Sequence, residues 1–189
     1  MHRVERGARK ISNSSGDVAS KVEAGNRLVD QQLTRFDEAA QAYTQTAYPA
    51  STPEATADGP SPAGVAPARR TEAGYAAVLA RAELVKAAPE ASRPALEQDQ
   101  VASELRFAQA FPADSRAPAV QAHAAETLYR LGDAAGANAA ALALLQRQPA
   151  APEAQRRTAL NVLAHTRFEA GAFDEAERYT REALALTLA

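Results

Sequence analysis

One pattern of small and apolar residues occurs twice in the C-terminal part of the chain, at positions 39 residues apart. The matching positions are Ala125 and Ala164, Gly132 and Gly171, Ala137 and Ala176, and Leu145 and Leu184. A period of about 20–50 residues is typical of supersecondary units that stack and bury their apolar faces against one another. The repeat therefore predicts two successive helical hairpins between residues 113 and 189.

Each copy of the pattern predicts two helices joined by a glycine turn. Apolar and small residues at helical intervals precede Gly132, and a glycine there suits the left-handed backbone that ends a helix. In the second copy, Asp174 and Glu175 fit the first turn of a helix, where carboxylates complement the helix dipole. Ala137 and Ala176 fall where the two helices of a hairpin should cross closely, so a larger side chain would separate them.

These residues resemble the tetratricopeptide repeat (TPR) family, whose pattern has a small residue and an aromatic on the first helix, an alanine on the second and a proline after it. The resemblance is carried by Ala125, Gly132, Ala137 and Pro149 in the first copy and by Ala164, Phe168, Gly171 and Ala176 in the second. The period exceeds the family's usual 34 residues by about five. No tryptophan is present, and Phe168 substitutes beside Arg167 for the leucine of the first copy. An unrelated pair of alanine-rich hairpins is the alternative.

The resemblance implies an all-α fold of antiparallel helix hairpins stacked as a short TPR-like solenoid. Five parts are predicted: a flexible basic tail (1–16), degenerate repeat helices (17–48), a Pro/Ala/Ser-rich linker or insertion (49–71), a degenerate helical repeat (72–112) and the two hairpins (113–189). The tetrapeptide Phe36–Ala39, which recurs at Phe173–Ala176, supports the second part. Five of the eleven prolines lie between residues 49 and 67 and support the third. A proline-rich docking ligand is the alternative interpretation of that segment.

The composition argues against several classes of protein. A hydrophobic content of 46% excludes a wholly disordered chain. The net charge of −2 lacks the clustered basic excess of a nucleic-acid-binding domain. The sequence contains no run of 18 apolar residues, the length that would predict a membrane-spanning helix. A protein or peptide is therefore the expected partner.

No residue pattern in the chain predicts catalysis, a cofactor or a metal site. There is no cysteine, so disulfides, thiol catalysis and cysteine-ligated zinc are excluded. The three histidines, His2, His123 and His165, are scattered, whereas a metal site needs three or four converging ligands. Phosphate-binding loops, nucleophile elbows and dinucleotide-binding turns are also missing. The chain is expected not to be an enzyme.

The family's concave groove, lined by the first helix of each hairpin, supplies the candidate binding residues. Carried over to this sequence, the groove residues are Ala122, Glu126, Tyr129 and Arg130 from the first copy and Asn161, His165, Phe168 and Glu169 from the second. The alternative for Tyr129 and Phe168 is that they fill the core between repeats. Some family members clamp a C-terminal carboxylate with lysine and asparagine, but Ala122 and Glu126 stand at the corresponding positions, so that ligand is not expected.

The C-terminal residues 183–189 lack the polar capping helix with which repeat arrays usually end. Either the array continues, or the last helix docks on a partner, including a second copy of the chain. The alternative function is accordingly a structural spacer segment of a larger bacterial envelope-associated repeat protein. A cytoplasmic location is expected if Met1 is the true start, and a periplasmic or envelope location if the chain is a fragment. The excess of 18 Arg over 3 Lys is typical of a GC-rich bacterial genome.

Overall fold

The computed structural model describes the backbone of residues 2–49 and 66–187, and side chains from Ser20 onward with the exception of Val22. These residues form seven helices: α1 (His2–Ala47), α2 (Pro67–Ala87), α3 (Arg93–Ala110), α4 (Ala117–Arg130), α5 (Ala134–Leu145), α6 (Glu153–Glu169) and α7 (Phe173–Thr187). No strand occurs within the described ranges. The fold is therefore all-α, as the sequence predicted.

The N-terminal half differs from the predicted division in two places. α1 is one continuous helix that includes residues 2–16, where the sequence predicted a flexible tail. No proline occurs before residue 49, so the backbone carries no residue that would end this helix. α2 begins at Pro67, inside the predicted linker, with the proline in the first turn, where a missing N–H costs nothing. The linker's residues 50–65 lie outside the described part of the chain.

Helices that follow one another in the chain pack against one another throughout, and α4 also contacts α6. The core of the C-terminal hairpins consists largely of alanine, and its fully buried members include Ala124, Ala125, Ala137, Ala141, Leu144, Ala159 and Leu163. Because alanine side chains are short, the helix axes in this core can approach closely. The predicted crossing residues Ala137 and Ala176 are both buried, at 0% and 6% exposure.

The two hairpins turn in the same way. Gly132 and Gly171 have φ angles of 82° and 76°, the left-handed conformation that the sequence predicted. The next residue in each case donates its backbone N–H across the turn, from Asp133 to the carbonyl of Leu128 and from Ala172 to that of Arg167, both at 2.9 Å. This bonding is the Schellman arrangement that ends many helices. Asp133 then caps α5 by accepting a hydrogen bond from the Gly136 N–H at 2.9 Å.

An aromatic cluster joins the first three helices. The ring of Phe107 lies 5.7 Å from that of Tyr75 and 5.4 Å from that of Phe111, and Tyr48 at the end of α1 lies 5.8 Å from Phe111. Gly74 of α2 sits beneath these rings, and a methyl group added there would lie 2.7 Å from a Phe111 ring carbon. The close approach of α2 to this cluster therefore depends on a glycine.

Candidate functional site

The predicted groove residues lie on α4 and α6, and the structure brings five of the eight to one open groove between these helices. The α4–α6 groove has a volume of about 460 Å³. Its lining comprises His123, Glu126, Thr127, Tyr129, Arg130, Thr158, Asn161, Val162 and His165. Two of the other predicted residues, Phe168 and Glu169, lie one turn further along α6.

Tyr129 links the two helices that form the groove. Its ring stacks on the imidazole of His165, with 5.8 Å between ring centres and 23° between planes. Its hydroxyl donates a hydrogen bond of 2.6 Å to Glu169 Oε1, and this bond raises the pKa of Tyr129 above the ordinary value of a tyrosine. Tyr129 is only half-buried. It therefore packs against α6 and still presents part of its ring to the groove.

Phe168 belongs to a second open cavity, of about 690 Å³, which we name the α6–α7 end surface. Its lining comprises Asn161, Ala164, His165 and Phe168 of α6 and Phe173, Ala176, Glu177, Thr180 and Arg181 of α7. Phe168 is 62% exposed and meets Phe173 edge-on, with 5.3 Å between ring centres. Phe168 therefore does not fill a core within the described part of the chain.

A buried row of polar side chains on α3 supports the groove from behind. Glu97, Gln100 and Glu104 follow one another at helical spacing and are each less than 9% exposed. Glu97 accepts a bond of 2.8 Å from Arg130, and Glu104 accepts bonds from Gln100 (2.8 Å) and His123 (2.9 Å). These buried carboxylates anchor the Arg130 and His123 side chains at the edge of the groove.

The sequence prediction missed this row, although a signal for it exists. Glu97, Gln100 and Glu104 alternate at intervals of three and four with the apolar residues Val101 and Phe107, which are also buried. Polar side chains on the same helix face as a buried apolar stripe are expected to find partners on the neighbouring helix.

One groove prediction is corrected. Ala122 is 6% exposed and belongs to the apolar core, so it does not line the groove. The reason is that its short side chain belongs to the apolar cluster that α4 forms with Val101 of α3 and with α5 and α6. The repeat alanines Ala125 and Ala164 are buried in the same core, at 0% and 9% exposure.

The groove offers hydrogen-bonding groups and a flat aromatic face. Glu126, Asn161 and His165 are exposed along it, and Thr158 is half-buried.

Within the described ranges, no three His, Cys, Asp or Glu side chains come together in a way that could hold a metal ion. Among the described helices, none is both long and apolar enough to cross a membrane.

Comparison of the chain with known proteins gives no match to a protein-family model, to a curated protein or to a solved structure. A function for the chain is therefore inferred from its residues and their geometry.

Proposed function

We propose that the chain is a non-catalytic helical-repeat scaffold, with its hairpins arranged as a short TPR-like solenoid, and that it binds a protein or peptide partner in the α4–α6 groove. One observation carries this proposal: residues at equivalent places in the two copies of the repeat, such as Glu126 and His165, line one open groove. The packing of α6 against both α4 and α5 supports the solenoid, because each hairpin then rests on the next.

The groove residues suit a peptide with an apolar side chain flanked by polar groups. The stacked rings of Tyr129 and His165 offer a flat surface against which such a side chain can be buried. Asn161, with both a donor and an acceptor on its amide, can bond the backbone of an extended or helical peptide. Arg130 and Glu126 lie on the same wall and would select the charge of the flanking residues.

The test uses the full chain as bait for a peptide array, followed by affinity measurement on the peptides it selects. Asn161→Ala and Tyr129→Ala are each expected to weaken binding by about tenfold or more, as for central interface residues. Tyr129→Phe keeps the ring and removes only the bond to Glu169, so it separates loss of contact area from loss of the link between helices. Arg178→Ala is the matched control, because Arg178 is exposed on α7 and stacks on its own neighbour Tyr179 at 4.7 Å.

Binding that is unchanged in both alanine variants, with the helical circular dichroism spectrum intact, would contradict the assignment of the groove. Uniform loss in all variants, Arg178→Ala included, would also count against it.

A second candidate, the structural spacer in a larger repeat protein, is favoured by one specific observation. Several polar groups of the groove already have partners within the chain: Arg130 pairs with Glu97, His123 with Glu104, and Tyr129 with Glu169. A ligand would have to compete with these bonds. A full chain that selects no peptide, and whose Asn161→Ala variant is as stable as the parent, would favour the spacer.

A further inference from the structure

The 39-residue repeat relates the α6–α7 end surface to a surface of the first hairpin against which a helix packs. In the first hairpin, Ala125, Ala137 and Ala141 are fully buried, and α6 packs against both helices of that hairpin. Their counterparts 39 residues later are Ala164, Ala176 and Thr180. All three border the open end surface, where Thr180 is exposed and the two alanines are only 9% and 6% exposed. The second hairpin thus repeats a surface on which the first hairpin holds a helix.

A hydrogen bond between α5 and α6 involves another pair of equivalent positions in the two hairpins. Thr166 of α6 donates to the Asn138 side chain of α5 at 2.5 Å. Glu177 is the counterpart of Asn138, and it faces the open cavity instead of a covering helix. The end surface therefore offers a charged acceptor at the place where the preceding hairpin contacts its neighbour.

Large apolar side chains are concentrated at this end. The described side chains include six exposed large hydrophobics, and three of them, Phe168, Phe173 and Leu184, lie on α6 and α7. Their exposures are 62%, 61% and 57%. Phe168 and Phe173 line the cavity, and exposed apolar side chains around a cavity are typical of an interaction surface.

The outward face of α7 is complementary to itself when two copies run antiparallel. Phe173, Glu177, Thr180 and Leu184 follow at intervals of four, three and four, which places them on one stripe of the helix. Antiparallel pairing of two such stripes sets Phe173 opposite Leu184 of the second copy. The same pairing brings Glu177 beside Arg181 of the second copy, so that acid meets base on both sides of the two-fold axis.

This geometry points to a second copy of the chain as the occupant of the α6–α7 end surface, in a two-fold dimer whose α7 helices cross antiparallel. A two-fold interface uses the same patch on both subunits, so the patch must match itself in shape and charge. The stripe and the Glu177 and Arg181 pair meet that requirement. This inference does not depend on peptide binding in the α4–α6 groove.

Charge reversal tests the dimer in the full chain by sedimentation velocity across a dilution series. Glu177→Arg places two arginines side by side, and Arg181→Glu places two glutamates side by side. Each single reversal is expected to weaken dimerisation by about tenfold or more, since like charges in contact repel. The double reversal Glu177→Arg, Arg181→Glu is expected to restore the dimer, and so is an equimolar mixture of the two single variants.

The pattern of restoration separates the dimer from a role within one helix. Glu177 and Arg181 also pair inside α7 at 2.6 Å, but both are more than half exposed and that pair stabilises the fold little. Leu184→Glu is expected to abolish the dimer. The matched control is Leu79→Glu, on an exposed leucine of α2, which should leave it intact.

Three results would each overturn the inference while circular dichroism shows an intact fold. The first is a parent chain that sediments as a monomer at every concentration. The second is dimerisation unaffected by the single reversals. The third is a double reversal that behaves like the single ones.

Discussion

His123 and Glu104 form a contact between α4 and α3 in which one side chain is half exposed and the other is 3% exposed. His123 Nδ1 lies 2.9 Å from one carboxylate oxygen of Glu104 and 3.0 Å from the other. Gln100 donates to the same carboxylate. The histidine ring therefore closes a buried polar row at the edge of the groove.

This contact makes the stability of the fold depend on pH. The hydrogen bond to Glu104 is the main cause that raises the pKa of His123 above its ordinary value, against the opposing effect of burial. Since the folded pKa exceeds that of the unfolded chain, the protonated ring stabilises the fold fully below about pH 6.5. That contribution is lost as the pH rises through the raised pKa. Urea unfolding should thus show a larger deficit for His123→Gln in acid than in alkaline solution.

A Glu104→Gln background supplies the control for this prediction. Without the carboxylate, the loss of unfolding free energy caused by the His123→Gln substitution should vary much less with pH. An equal pH dependence in both backgrounds would show that another group is responsible.

Gly74 and Gly25 should respond in opposite directions to the same substitution. Alanine is favoured over glycine in a helix by about 0.8–1.0 kcal/mol. At Gly25 nothing lies within 4 Å of the added methyl group, so Gly25→Ala should raise the unfolding free energy. At Gly74 the methyl group meets Phe111 at 2.7 Å and Phe107 at 3.1 Å, inside a packed aromatic cluster. Gly74→Ala should therefore lower the melting temperature, and a stabilised variant would show that the rings move aside easily.

The sequence predicts the C-terminal hairpins better than the contacts that hold α3 and α4 together. Glycine turns and acidic first turns are local signals, so Gly132, Gly171 and the start of α7 could be read directly. The ion pairs of Glu97 and Glu104 join residues at least 19 positions apart, and their burial depends on how α3 packs on α4. No local sequence pattern specifies which residues pair across such a separation in the chain. The five predicted groove residues that lie together were carried over from the groove of the TPR family, and they come from equivalent parts of the two copies of the repeat.

In α1, a local property of the sequence gives a different expectation from the structure. Its N-terminal segment is basic and rich in serine and glycine, a composition that predicts a tail. In the structure the same segment is the first part of α1, which begins at His2 and contains no proline that would remove a backbone donor. Composition alone therefore does not distinguish a tail from the end of a long helix.

The turn glycines should be costly to replace although they have open surroundings. Gly132 and Gly171 have nothing within 4 Å of an added methyl group, so packing does not oppose alanine. Their positive φ angles do, because a side chain in the left-handed conformation costs about 1–2 kcal/mol. Gly132→Ala and Gly171→Ala should each lower the unfolding free energy by about that amount, and Gly132→Asn should lower it less. If all three variants are as stable as the parent chain, the left-handed geometry of the two turns is contradicted.

Ala137 and Ala176 occupy equivalent crossings, yet leucine should be tolerated differently at the two positions. Ala137 is fully buried in the core that α5 shares with α4 and α6, and Ala137→Leu should overpack the crossing at a cost of about 1–3 kcal/mol. Ala176 borders the open end surface, into which part of a leucine side chain can extend, so Ala176→Leu should cost less. Urea unfolding at low protein concentration, where self-association does not contribute, gives the two values. A larger loss of unfolding free energy for Ala176→Leu than for Ala137→Leu would show that the end surface has no room for the leucine side chain.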